Sequence, residues 1–329
     1  MLSPLLGQRL ETLYGFYGPE TARTDPIVFP LRYEAAEDCE VAGWIATAFA
    51  YGQVRTIQKN VGFLLDALGP RPARGLDAIV DFRAFARDAL HGFRHRFHGA
   101  RDAAALLYAI SAVRREGGSV RAFFEREQRE EDADVGPLLS RVVARLTALD
   151  WRPALGIHKR RLPAASPVRF FFPDPAAGSA CKRWNLYLRW MVRRDRLDFG
   201  LWQGIPTRRL VVPTDTHVHR IARRLGLTRR AAADWKTARE ITDALSRFDA
   251  DDPVRFDYAL CRLGILDVCT PEVSRCQCGI CPVRDACRVG RRRVGPDAPS
   301  AARDPLPSHR SASQGSLGPS ALGMTGDAS

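Results

Sequence analysis

The sequence predicts an all-α protein of two helical lobes. Apolar residues recur at three- and four-residue spacing along most of the chain. No run of alternating residues argues a strand ladder, and no repeat recurs at a fixed 20–50 residue period. In order, residues 38–50 place Val41, Ile45 and Phe49 at helical spacing, and residues 54–68 align Ile57, Val61, Leu64, Leu65 and Leu68 on one face. Residues 101–116 and 135–149 follow; VGPLLSRVVARLTAL is the cleanest amphipathic case. Further helical patterns lie at 179–193, 215–226, 236–248 and 254–265, with short extended pieces expected at 168–172 and 209–212. After about residue 290 the chain has no aromatic residue and no periodicity, so 291–329 is expected to be a disordered tail.

Composition narrows the function classes. Apolar residues make up 45% of the 329, enough for a core, and no stretch approaches the roughly 18 apolar residues of a membrane span. The N-terminus has no basic segment followed by an apolar one, so no secretory signal is expected and a cytoplasmic location is. Fifty basic residues face 37 acidic ones, a net +13. That excess favours a polyanionic partner, most simply nucleic acid.

Eight cysteines are present, and five fall between 269 and 287. In a chain without a secretory signal such a cluster reads as a metal or iron–sulfur site. Two sets of four are open: Cys269, Cys278, Cys281 and Cys287, or Cys269, Cys276, Cys281 and Cys287. A cubane cluster needs closely spaced thiolates, one per iron. Zinc is the rival, although structural zinc usually draws on two close pairs and only one Cys-x2-Cys is present. Cys39, Cys181 and Cys261 read as small buried groups.

Residues 178–193 read GSACKRWNLYLRWMVR, and PTDTHVHRIARRLGL follows at 213–227. Asp215 precedes a helix whose apolar face is Val218, Ile221, Ala222 and Leu225, which makes it an N-cap. Trp184, Tyr187 and Trp190 form a stripe expected in the core, and His217 and His219 are expected to be structural. A lysine-bearing hairpin and helix, an Asp-Thr-His-Val segment and a terminal cysteine cluster together resemble the helix-hairpin-helix DNA glycosylase superfamily, with endonuclease III as its iron–sulfur member. The strings CKRWNLYLRWMVRRD, VVPTDTHVHRIARRLGLT and DDPVRFDYALCRLGI are closer still to an uncharacterised bacterial family, domain of unknown function 2400.

The resemblance implies a two-lobed fold. A segment over 1–37 would pack on the second lobe, a central lobe would span 38–205 with a degenerate helix-hairpin-helix, and a C-terminal lobe over 206–290 would carry the cysteines. It places Lys182 at the nucleophile position, Asp215 at the catalytic aspartate, Gly178 at the first hairpin glycine and Gln53 at a glutamine that enters the DNA stack. It selects Cys269, Cys278, Cys281 and Cys287 as ligands of a [4Fe-4S] cluster, zinc being the alternative. The implied activity is a base-excision glycosylase, with AP lyase activity where the lysine acts as nucleophile, working as a monomer on damaged double-stranded DNA. A non-catalytic DNA or RNA binder that keeps the scaffold is the rival.

Two departures stand out. Ala180 replaces the second hairpin glycine, and 33 residues separate Lys182 from Asp215, about twice the family's gap. Lys182 is nonetheless informative, because it is one of only four lysines among the fifty basic residues. Phosphate binding tolerates arginine, whereas Schiff-base chemistry needs an amine that can lose its proton.

Overall fold

The computed structural model describes residues 3–294. Among them, the first half of the chain forms α1 (Pro4–Phe16), α2 (Ala36–Ala48), α3 (Val54–Leu68), α4 (Pro72–Asp77), α5 (Phe82–Asp88), α6 (Ala100–Gly117), α7 (Val120–Glu125), α8 (Gly136–Ala148) and α9 (Arg152–Leu155). The second half forms α10 (Lys182–Val192), α11 (Thr216–Leu225), α12 (Trp235–Leu245), α13 (Asp257–Ile265) and α14 (Arg288–Val294). The all-α expectation is met: strand structure in this range is one two-residue antiparallel ribbon, β1 (Arg94–His95) and β2 (His98–Gly99). No described helix is long and apolar enough to cross a membrane.

The core is built on α2 and α10. Residues 38–48 of α2 are all buried, rather than the single stripe that Val41, Ile45 and Phe49 suggested, because α10, α4, α7 and α3 pack around it. Gly43 permits the close approach: a Cβ there would lie 2.8 Å from Met191 and 3.3 Å from the Tyr187 ring. Buried acids on α2 find partners. Asp38 accepts from the Ala73 amide (2.8 Å), and Glu40 accepts from Trp202 Nε1 (2.9 Å) and the Val120 amide (3.1 Å). Trp184, Tyr187 and Trp190 lie in this core as expected, with the Trp44 ring tilted against that of Trp184 at 5.3 Å between centres. Overpacking a full core costs about 1–3 kcal/mol. Gly43→Leu is therefore expected to lower the urea midpoint by at least that equivalent, read by equilibrium denaturation.

Local chemistry explains the remaining differences from expectation. The piece expected to be extended at 168–172 is a 3-10 turn, Pro167–Phe171, because Pro167 presets its first position and Ser166 Oγ caps the Val168 amide (3.4 Å). Of the piece expected to be extended at 209–212, Arg209 closes a 3-10 turn, Thr207–Arg209, and Leu210 is extended, but 210–212 pair in no ladder; the Val212 amide donates instead to Thr242 Oγ1 (3.0 Å). The helix α14 carries the chain past residue 290, where the tail was expected to begin. The rest of that expected tail, 295–329, lies outside the described residues. Near the other end, α1 packs on α13.

Candidate active site and cysteine pocket

Two helix starts bring Lys182 and Asp215 together. Lys182 is the first residue of α10 and Asp215 caps α11. Lys182 Nζ lies 3.5 Å from Asp215 Oδ2, although 33 residues separate them. Asp215 divides its work between its two oxygens. Oδ1 accepts from the amides of His217 (2.9 Å) and Val218 (2.8 Å), which is the expected cap, while Oδ2 faces Lys182. Burial would raise the Asp215 carboxyl, but Lys182 and the capping amides outweigh it and hold it below the usual carboxylate range. Burial would likewise lower the Lys182 amine, but Asp215, Cys261 and Asp25 outweigh it and hold it above its usual value. The pair at rest is an ammonium beside a carboxylate.

No pattern in the sequence marks the third member. Cys261 was expected to be a small buried group; it is half-buried on α13, with Sγ 3.9 Å from Asp215 Oδ2. Burial holds its thiol well above the ordinary range, so it stands as a weak donor toward Asp215. Behind the pair lies a buried ionic network. Arg189 bonds Asp257 (2.5 Å) and Asp198 (3.3 Å), and Arg193 bonds Asp198 (2.8 Å) and Asp252 (2.7 Å). Burial pushes Asp257 up to about 7 against the pull of Arg189. The two expected histidines have structural partners: His219 Nε2 meets Arg230 O (3.0 Å), and His217 Nδ1 meets Arg220 Nη2 (3.2 Å).

The turn before Lys182 has no α-helix leading into it. Its leading element is a single 3-10 turn, Pro175–Ala177, since Pro173 and Pro175 bar an α-helix there. Gly178 is left-handed at φ 85°, with open space around its Cβ position. The other left-handed residue is Cys181, at φ 49°, not Ala180. A glycine is therefore not required at 180. Cys181 offers α10 no side-chain cap, and the first amide to bond back is Asn185 to Cys181 O (2.9 Å). The α10 N-terminus thus presents amides toward the hairpin.

Gln53 caps the start of α3 and is exposed; no hydrogen bond or ion pair joins it to Lys182 or Asp215 among the described residues. Its loop does approach α10. Arg183 donates to Ala48 O (3.2 Å) and lies 3.9 Å from the Phe170 ring centre and 5.6 Å from that of Tyr51. Phe170 and Phe97 touch at 5.0 Å, and both are exposed, Phe97 by 56% at the tip of the ribbon. An aromatic and arginine ridge therefore starts one residue from Lys182.

The cysteine loop closes against the far end of α11. Cys269, Cys276, Cys278, Cys281 and Cys287 all line one pocket, floored by Ile221, Leu225 and Leu263. Arg224 Nη1 donates to both Cys269 Sγ (3.0 Å) and Cys276 Sγ (3.1 Å), and Arg220 donates to Cys269 O (2.6 Å). One helix therefore carries Asp215 at its start and grips the cysteine loop at its end. Burial raises the Cys281 thiol to about 12 and also raises Cys269 and Cys278. Burial acts the same way on Cys276, but Thr270 and Arg224 outweigh it and lower that thiol. Among the described residues no three His, Cys, Asp or Glu side chains are arranged as ligands of a single metal ion. A donor set of five thiols spread around one pocket fits a polynuclear cluster, which takes its ligands around a volume rather than about a point.

The fold and site thus define an all-α protein with a lysine–aspartate pair and a cysteine-lined pocket on opposite ends of one helix. The chain belongs to the family described as protein of unknown function DUF2400, whose model matches residues 25–266. That match ends just before the first cysteine of the pocket. No curated protein matches, and no solved structure does.

Proposed function

We propose that the protein is a DNA glycosylase of the base-excision type, with a lyase step through Lys182. One observation carries the reading: the 3.5 Å approach of Lys182 Nζ to Asp215 Oδ2 at the mouths of two helices. A glycosylase takes the base out of the stack, and C1′ gains oxocarbenium character as the base departs. Asp215 supplies a fixed negative charge for that centre, held in its ionised form by its own cap. Once Lys182 has given up a proton, its amine attacks C1′. The N–C1′ bond forms as the bond from C1′ to the base breaks, and the base leaves with a proton. O4′ takes a proton from solvent as the ring opens to the iminium; water then takes a C2′ proton, and the C3′–O bond breaks with the 3′ phosphate leaving as its anion.

Damaged double-stranded DNA is the proposed partner of a cytoplasmic monomer. The net charge of +13, the open α10 N-terminus and the ridge of Phe97, Phe170 and Arg183 support it. Cys269, Cys281 and Cys287, with one of Cys276 and Cys278, would hold a [4Fe-4S] cluster. Bound there, it would cross-link the loop and supply local folding energy, which zinc would also do. Arg224 and Arg220 then tie that loop to the helix that starts at Asp215.

Base release from duplexes carrying a panel of oxidised and deaminated bases tests the reading. Release from at least one is expected; binding with no release from any would leave the non-catalytic binder. The ridge carries its own expectation. Base–aromatic stacking is worth about 1–3 kcal/mol per base. Phe97→Ala is expected to weaken binding to DNA with an unpaired base by that amount and to spare intact duplex, as fluorescence anisotropy would read.

A further inference from the structure

We propose that Cys276, not Cys278, completes the thiolate set with Cys269, Cys281 and Cys287, leaving Cys278 as a spare thiol at the pocket rim. The inference rests on the cluster reading of the pocket and reverses the choice that the resemblance implied.

Position separates the two candidates. Cys276 is as buried as Cys281, each 8% exposed, whereas Cys278 is half-buried, as Cys269 and Cys287 are, and it opens a 3-10 turn, Cys278–Ile280, whose Gly279 and Ile280 are exposed. Hydrogen bonding separates them further. Arg224 Nη1 reaches Cys269 Sγ and Cys276 Sγ at 3.0 and 3.1 Å, so one guanidinium nitrogen draws these two sulfurs together. The Thr270 hydroxyl gives its proton to Glu272 O (2.7 Å), and Cys276 Sγ itself faces Thr270 O (3.6 Å) and Glu272 O (3.7 Å), so the Arg224 donor is what distinguishes this sulfur; no hydrogen bond reaches Cys278 Sγ among the described residues. Hydrogen bonds onto ligating sulfurs are the outer shell that orients a metal site. Backbone anchors fix Cys276 in place. Arg293 donates to its carbonyl (3.0 Å), and the amide of the next residue, Gln277, donates to Val268 O (3.0 Å). Cys269, one residue beyond Val268, is thereby set beside Cys276.

The test uses the full chain, reconstituted without oxygen from ferrous iron and sulfide. Iron and acid-labile sulfide are measured, and the loaded protein is alkylated with iodoacetamide and mapped by mass spectrometry. Cys278 is expected to be alkylated, while Cys269, Cys276, Cys281 and Cys287 stay protected until a chelator strips the iron. Cys278→Ser is expected to keep wild-type iron and sulfide, and Cys276→Ser to lose nearly all of both. Protection of Cys278 with alkylation of Cys276, or full iron in Cys276→Ser, overturns the assignment. The mapping is done on wild type, so it stands even where a variant misfolds. Failure of wild type to take up iron and sulfide overturns the cluster reading, and the assignment with it; uptake with a different protected set overturns the assignment alone.

Discussion

Asp215→Asn is expected to slow base release by about two to three orders of magnitude, the scale seen when one electrostatic stabiliser is removed from a reacting centre. Its thermal stability is expected to stay near wild type. Asn caps a helix as well as Asp does, so the bonds to the His217 and Val218 amides survive while the charge goes. Asp215→Ala loses both, and adds a stability cost of about 1 kcal/mol. The contrast separates a catalytic carboxylate from a purely capping one: if Asp215 only caps, Asn restores full base release. A pH profile adds an independent reading. The Asp215 carboxylate holds the Lys182 amine above its usual value. The reactive amine is the neutral form, so adduct formation rises with pH toward that value. Removing the carboxylate lowers it, and the rising limb is expected to move to lower pH in Asp215→Asn. An unmoved limb would mean that the two side chains are not coupled.

The second large effect is on stability. Arg189→Ala is expected to cost about 3–5 kcal/mol, because it strands buried Asp257 without its cation and leaves buried Asp198 to Arg193 alone. Equilibrium urea unfolding reads it. Lysine is not expected to rescue, since one planar guanidinium serves two carboxylates here. Removing the charges together, as Arg189→Met with Asp198→Asn and Asp257→Asn, is expected to recover part of the loss. A cost under about 1 kcal/mol for Arg189→Ala would place the network with ordinary surface pairs. The network matters to the site because Asp257 lies one helical turn before Cys261, and that turn sets the wall beside Asp215.

Most helices were legible in the sequence because each buries a periodic apolar face. Residues 54–68 match α3 end to end, and 101–116 and 135–149 match α6 and α8 within a residue or so. Short helices such as α4, α5, α7 and α9 were not, since each is set by a local cap or proline and by its neighbours rather than by periodicity. The ribbon at 94–99 is too short to alternate. At the site, Lys182 and Asp215 were legible only through resemblance, and Asp215 as a cap from its own position. Cys261, Arg183 and Arg224 were not, because what makes them notable is the neighbour each meets across the fold. That the five cysteines of the loop gather was legible from their spacing, and they do line one pocket, but spacing alone could not decide between two thiols two residues apart.

The most direct test of the central claim is sodium borohydride trapping on duplexes with an abasic site or a released base, comparing wild type with Lys182→Ala. A covalent protein–DNA adduct in wild type, lost in Lys182→Ala while DNA binding persists, is the predicted result and puts the Lys182 amine on C1′. An adduct of equal yield in Lys182→Ala would contradict the account by placing the nucleophile elsewhere, and the absence of any wild-type adduct despite intact binding would remove the lyase step.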